Sequence, residues 1–333
     1  MGELLAEVVV LVTVLVSLVT GAKLWNRLRK KGEVLPYEAG RRPTWSGWEA
    51  LVVFFLFHWG LILGLAVELL LGGLPSPSLE QPLIDQVLRH SHLVREFSEE
   101  ASSSAENASS SNDWEELVVH PVFLLLQADP SLGTVLWCSA VVVLLAPIVE
   151  EVIFRLVLLG YLGQRERRWR RRVRLFRLFL PGFLPVVGIS LWFALLHGRS
   201  AEEIPPVEEV RQAMNFTAQL GIVTLLAVMI MAAGKRGGFL ANMGIDLRKL
   251  GYDMKVGALA CVVVTPPLWL LQAQLTRLLA PLGWAPDPVP IFFLAVVLGM
   301  LYYRTVRVVP SVVLHVLHNL ASFLLALLPI FVK

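Results

Sequence analysis

Several ionisable side chains lie inside otherwise apolar segments, and the first group reads Glu150-Glu151-Val-Ile-Phe-Arg155. A charged group at the middle of a bilayer costs roughly 3 kcal/mol on insertion scales, so such groups are expected to be paired or functional. On a helix, Glu151 and Arg155 share a face and can form an ion pair. Glu150 points about 100° away and has no partner on its own helix. Glu150 is therefore a candidate general base, although the group could instead be a polar cluster that joins helices.

Two further motifs carry histidine. Phe193-Ala-Leu-Leu-His197 ends one apolar segment, and His315-Val-Leu-His318-Asn319 lies in the last one. His315 and Asn319 are four residues apart, share a helical face and could direct two hydrogen-bond donors at one point, which suits an oxyanion site. The alternative for both motifs is a structural hydrogen bond between helices. His318 points at a different angle and is assigned either to a position supporting the site residues or to packing.

The composition identifies the class of protein that carries these motifs. Of the 333 residues, 56% are hydrophobic and 17% are charged, whereas a soluble domain has about 25% charged residues. The high hydrophobicity excludes a disordered chain. The sequence therefore predicts an all-α, polytopic membrane protein of about eight transmembrane helices, each needing about 20 mainly apolar residues. The predicted spans are 4–22, 50–71, 134–162, 178–198, 213–234, 256–280, 290–303 and 309–332.

The loops between the spans alternate in charge. Lysine and arginine are concentrated in residues 23–48, 163–179, 235–255 and 304–308, which the positive-inside rule assigns to the cytoplasm. The arginine-rich stretch 163–179 could suggest nucleic acid, but a topology signal beside anionic membrane lipid is the favoured interpretation, so no nucleic-acid partner is predicted. Because the sequence carries only weak eukaryotic targeting signals, a location in a bacterial inner membrane is favoured.

Three regions follow from these patterns. Residues 1–72 are predicted to form two transmembrane helices joined by a basic cytoplasmic loop. Residues 73–130 form a polar, acidic loop outside the membrane, partly disordered around the Ser-rich stretch 98–112. Residues 131–333 contain all the motifs described above. Cys138 and Cys261 both lie in apolar runs, so no disulfide framework is predicted.

The ordered set Glu150-Glu151-x-x-x-Arg155, Phe193-x-x-x-His197 and His315-x-x-x-Asn319 resembles the CPBP family of CAAX-protease and bacteriocin-processing intramembrane endopeptidases. The resemblance covers roughly residues 130–332 and implies an eight-helix bundle with a cavity. It further implies that Glu150 activates water with help from His197, that His315 and Asn319 stabilise the oxyanion, and that Glu151, Arg155 and the motif residue Phe193 have supporting roles. A glutamic rather than a metallo type is implied, and the sequence contains no His-Glu-x-x-His signature. Two glutamates and two histidines could still bind zinc, which remains an alternative to the absence of a cofactor.

The leading hypothesis is an intramembrane endopeptidase that hydrolyses a peptide bond near the membrane surface. Its expected partners are membrane lipid and a peptide or protein substrate, with prenylated proteins among the candidates. A proton-coupled transporter is a second hypothesis, because intramembrane glutamate and histidine also serve as proton relays. A non-catalytic immunity or scaffold membrane protein is a third.

Overall fold

The computed structural model describes residues 2–31, 35, 45–58, 121–173, 178–197, 207–279 and 288–331. These residues are helical or lie in turns, and none of them forms a β-strand, in agreement with the all-α prediction. Residues 59–71 of the second predicted span lie outside the described residues. So do residues 73–120 of the acidic loop, including the Ser-rich stretch.

The longer helices within the described residues are α1 (Gly2–Lys31), α2 (Gly47–His58), α3 (Pro121–Ala128), α4 (Leu132–Arg172), α5 (Phe183–Leu196), α6 (Val207–Ala233), α7 (Leu250–Leu279), α8 (Pro288–Thr305) and α9 (Val309–Phe331). Two short helical segments, Phe239–Asn242 and Leu247–Lys249, lie between α6 and α7. Five of the longer helices, α4 and α6–α9, contain segments long and apolar enough to cross a membrane. The chain is therefore a multi-pass integral membrane protein. The expected count of eight spans is not confirmed, because Leu11–Leu24 of α1, α2 and α5 are apolar but shorter.

The central helix α4 changes its hydrogen-bond register twice. Two π-helical segments, Ala140–Leu145 and Glu151–Leu159, enclose a short α-helical stretch, Ala146–Glu150. Pro147 lies in that stretch and has no N–H to donate, so it cannot make a regular helical hydrogen bond there. The first π-helical segment ends just before this stretch, and the second begins at Glu151, the residue after Glu150. Single π-helical turns of this kind are often found at functional sites.

Helix α4 also forms the middle of the largest hydrophobic core. Its residues from Val149 to Leu159 pack with side chains of α2, α5, α6 and α8. Phe154 and Ile153 are about 1% and 0% exposed. Because apolar side chains surround α4 on several sides, the polar groups on this helix are forced to find partners on the neighbouring helices.

Helix α5 starts later than predicted. The sequence suggests a span from residue 178, but the helix begins at Phe183, after Gly182 in the left-handed region with φ of 83°. The buried carboxylate of Glu166 on α4 accepts the N–H of Gly182 at 2.9 and 3.1 Å. A side chain at Gly182 would collide with the ring of Tyr303, so only glycine fits this turn. This contact fixes the start of the helix that ends at His197.

A short turn joins α8 to α9, and a buried ion pair holds it. Asp253 of α7 accepts hydrogen bonds from Nε of Arg307 at 2.7 and 2.9 Å, and both side chains are buried. The N–H of Val308 donates to the carbonyl of Gly244 at 3.0 Å. Val306 has φ of 59°, a region that a β-branched residue rarely adopts. These contacts outweigh the local strain and fix the register of α9, which carries His315.

We expect Arg307→Met to destabilise the protein strongly, because it leaves Asp253 as a buried, unpaired carboxylate. Removing one partner of a buried pair costs about 3–5 kcal/mol. The double variant Asp253→Leu/Arg307→Met removes both charges and should recover most of that loss. The measurement is thermal unfolding of the detergent-solubilised protein. Equal unfolding temperatures for the single and double variants would contradict the cost that we assign to an unpaired Asp253.

Candidate active site

The two adjacent acids on α4 have different surroundings. Glu151 is completely buried, and its Oε1 lies 3.3 Å from Nη1 of Arg155, so the ion pair expected from their spacing is present. The same oxygen is 3.0 Å from Nδ1 of His315 on α9. Glu150 retains 17% of its side-chain exposure. Glu151 is therefore held by a cation and a histidine, whereas Glu150 faces a less enclosed space.

Arg155 links α4 to two other helices. Its guanidinium lies over the ring of Phe193 on α5, 4.6 Å from the ring centroid, within the range of cation–π attraction. Nη2 lies 3.4 Å from the carbonyl oxygen of Ala295 on α8, a long hydrogen bond. Phe193, which the motif includes as an apolar residue, thus covers the buried charge of Arg155 and brings α5 against α4.

Two histidines from different helices flank Glu150. Nε2 of His197 lies 3.9 Å from Oε1 of Glu150, and Nε2 of His315 lies 3.7 Å from Oε2. Both distances exceed a direct hydrogen bond, which is at most about 3.2 Å for nitrogen and oxygen. Each oxygen of this carboxylate therefore faces one imidazole across a gap of a size that a water or substrate atom can bridge.

The partners of the other ring nitrogens define the tautomers. Nδ1 of His197 is 2.7 Å from the carbonyl oxygen of Phe193, and a carbonyl oxygen only accepts hydrogen bonds, so Nδ1 carries the proton. Nδ1 of His315 likewise donates to the carboxylate of Glu151, which Arg155 neutralises. In each neutral ring, Nε2 then has a lone pair directed toward Glu150. Both rings can accept a proton at the side facing Glu150.

Asn319 is near these residues but binds a different acceptor. Its Nδ2 donates to the carbonyl oxygen of Val142 in the first π-helical segment of α4, at 2.9 Å. The sequence suggests that His315 and Asn319 direct donors at one point, whereas the structure gives each of them its own acceptor on α4. Nδ2 of Asn319 carries a second hydrogen. His318 faces α7, with Nδ1 3.0 Å from Oγ1 of Thr265, as the packing alternative predicts.

A mainly apolar pocket opens beside Glu150. Its described walls come from α2, α4 and α6. The lining residues are Phe57, Val141, Leu145, Ala146, Val149, Glu150, Thr217, Ala218 and Gly221. Sequence reasoning missed those on α2 and α6, because one aromatic residue and three small ones carry no chemical motif. Such a pocket suits an apolar group of a ligand whose polar part meets Glu150.

The zinc alternative requires at least three side-chain ligands around one point. Across the part of the chain that the structure describes, no three His, Cys, Asp or Glu side chains are grouped in that way.

One family matches this chain. The model for type II CAAX prenyl endopeptidase Rce1-like proteins matches residues 132–321, more than half of the 333 residues. The matched range begins at α4 and ends within α9, so it contains every candidate site residue from Glu150 to Asn319. Helices α1 and α2 lie outside it. No curated protein and no solved structure gives a significant match to the chain.

Because Glu150 and Glu151 have different surroundings, we expect their replacement to change the stability of the protein by different amounts. Glu151→Ala leaves Arg155 buried without its carboxylate, so we expect a loss of about 3–5 kcal/mol in the free energy of unfolding. Glu150→Ala removes a partly exposed carboxylate that faces His197 and His315 at 3.9 and 3.7 Å, and we expect a change within about 1 kcal/mol. Thermal unfolding in detergent measures both variants. A greater loss for Glu150→Ala would contradict this division of roles.

Proposed function

The chain belongs to the Rce1-like type II CAAX prenyl endopeptidase family, and from this premise we propose that it is an intramembrane endopeptidase of glutamic type. The family supports a CAAX-protease type of peptidase and agrees with the resemblance that the sequence motifs carry. The observation on which the mechanism rests is the position of Glu150, whose two oxygens face the Nε2 atoms of His197 and His315 at 3.9 and 3.7 Å.

In the proposed first step, a water binds between Glu150 and His197. The water donates one hydrogen bond to Glu150 and the other to Nε2 of His197, which is free to accept because Nδ1 donates to Phe193. Glu150 takes a proton as the water oxygen bonds to the carbonyl carbon of the substrate. The carbonyl oxygen becomes an oxyanion. When the intermediate collapses, the C–N bond breaks and Glu150 gives its proton to the leaving amine.

The oxyanion requires hydrogen-bond donors. We assign this role to the second hydrogen of Asn319 Nδ2 and to His315 in its doubly protonated form. Glu151 would then accept a hydrogen bond from Nδ1–H of His315, and Nε2–H would face the oxyanion. Donors held in place before the reaction stabilise developing charge without reorganisation. The Val142 carbonyl supports this role for Asn319, because it fixes the amide plane.

The substrate is proposed to be a membrane-associated peptide or protein with an apolar group near the scissile bond, such as a prenylated protein. The apolar pocket beside Glu150 supports this class. An intramembrane site also favours substrates that partition into lipid.

The four basic loops are proposed to face the cytoplasm of a bacterial inner membrane. Contacts among three of these loops support their lying on one side: the guanidinium of Arg304 donates to the carbonyl of Leu35, and Arg307 pairs with Asp253. Lys235 lies 2.6 Å from Glu49, next to the 23–48 loop. The basic end of α4 also extends well past the length that a span needs.

We expect Glu150→Gln to abolish peptide cleavage, because the amide retains the shape of the carboxylate but cannot take a proton from water. Purified protein would be incubated with quenched fluorescent peptides, including prenylated ones, with and without a chelator. Glu208→Gln is the matched control, because the side chain of Glu208 is 68% exposed and lies outside the site. Cleavage by Glu150→Gln would contradict the mechanism, and loss of wild-type cleavage on chelation would indicate a metal enzyme. Substrate flux into proteoliposomes that depends on Glu150 would instead support transport.

We expect Asn319→Ala to lower kcat about 10²–10³-fold with little change in KM, as the loss of one oxyanion donor does. His318→Gln is a control on the same helix, because His318 bonds to Thr265 rather than to α4. Rates would be compared for equal amounts of folded protein. A rise in KM with unchanged kcat would show that Asn319 binds the substrate and does not stabilise the transition state.

A further inference from the structure

Helix α2 lies outside the matched family range but is firmly attached to it. Its N-terminus forms a capping box, in which the N–H of Ser46 donates to Glu49 at 2.7 Å and the N–H of Glu49 donates to Oγ of Ser46 at 3.2 Å. Nζ of Lys235, just after α6, lies 2.6 Å from Glu49 and 4.3 Å from the centre of the Trp45 ring. These contacts fix the start of α2 against the end of α6.

Close packing also joins α2 to α4. Trp45 is 2% exposed, and a Cβ atom on Gly160 would lie 3.3 Å from its ring. A Cβ atom on Gly47 would lie 3.0 Å from the hydroxyl of Tyr161. Val53, one and a half turns further along α2, is fully buried in the same core as α4. Helix α2 is therefore part of the packed body that contains Glu150, with little freedom to move away from it.

The last described turn of α2 reaches the candidate site through aromatic contacts. The ring of Phe57 meets the ring of Phe154 edge-on, with centroids 6.4 Å apart. The indole N–H of Trp192 on α5 lies 3.4 Å from Nε2 of His58, a long hydrogen bond. Phe154 in turn contacts Phe193, whose carbonyl holds His197. Phe57 is thus held between its own helix and the helix that bears Glu150.

Side chains of α2, α4 and α6 together line the pocket beside Glu150. Phe57 contributes the wall from α2, and the small residues Thr217, Ala218 and Gly221 contribute the wall from α6. Glu150 is the ionisable residue in this lining, and the remaining described lining is apolar apart from Thr217. A peptide carbonyl that reaches Glu150 therefore brings a neighbouring side chain into an apolar space bounded by Phe57.

We propose that this pocket receives an apolar side chain of a residue flanking the scissile bond, and that Phe57 determines the size of the side chain accepted. This inference rests on the proposed function and deepens it. The bulky ring of Phe57 limits the pocket, and the small residues of α6 create space in it. Substrate selection then depends in part on a helix that lies outside the matched family range.

The test compares Phe57→Ala with Phe55→Ala. Both variants remove an aromatic ring from α2, but Phe55 is 46% exposed and Phe57 lines the pocket. For each variant, kcat/KM is measured for peptides with a large apolar residue and for peptides with alanine instead. We expect Phe57→Ala to raise the ratio of the first value to the second by about tenfold or more. Phe55→Ala should leave the ratio as in the wild type. An unchanged ratio in Phe57→Ala, with cleavage intact, would overturn the inference and leave the proposed function standing.

A second measurement does not require cleavage. In a background with Cys138→Ser and Cys261→Ser, Phe57→Cys and Phe55→Cys would be labelled with N-ethylmaleimide. An N-methylated peptide with Leu on both sides of the blocked bond should slow labelling at position 57 and leave position 55 unchanged. Protection without any cleavage would support the pocket and contradict the proposed catalysis. Absence of both cleavage and protection would overturn both.

Discussion

The buried ion pair of Glu151 and Arg155 is the constraint on which the site depends. A charge moved out of water carries a penalty of several kcal/mol, so these two groups are stable only with well-placed partners. The partners come from three other helices: Phe193 from α5, Ala295 from α8 and His315 from α9. Satisfying one pair of charges therefore brings together the helices that supply the motifs, and it uses Nδ1 of His315 while leaving Nε2 directed toward Glu150.

The two adjacent acids on α4 have different surroundings, because Glu151 is held by Arg155 and by His315 of α9 whereas Glu150 lines the pocket. Neighbouring residues on a helix point about 100° apart, so Arg155 pairs directly with Glu151, and His315 reaches the two acids through different ring nitrogens. A π-helical segment begins at Glu151. Such register changes also free backbone carbonyls from their regular helical partners, and the Val142 carbonyl in the first π-helical segment accepts the amide of Asn319. The same irregular helix thus presents a carboxylate and orients an amide.

Local geometry was predictable from the sequence, and contacts between helices were not. The pairing of Glu151 with Arg155 follows from a four-residue spacing, and the apolar composition predicts a helical membrane protein. No spacing rule predicts that His315 binds the side chain of Glu151 whereas Asn319 binds the carbonyl of Val142, because the choice of acceptor depends on how α9 packs against α4. The π-helical turns and the late start of α5 escaped prediction for the same reason. The start of α5 depends on Glu166, sixteen residues earlier, bonding to Gly182.

The packed unit and the matched family range also have different boundaries. A sequence match follows residues that are shared across a family, whereas a core includes every side chain whose removal from water stabilises the fold. Trp45 and Val53 lie before the matched range, yet they are buried in the same core as Phe154. A helix that closes the core next to Glu150 necessarily contributes surface to the adjacent pocket, as Phe57 does. Under the proposed function, variation outside the matched range can then alter substrate choice while the residues assigned to the chemistry stay the same.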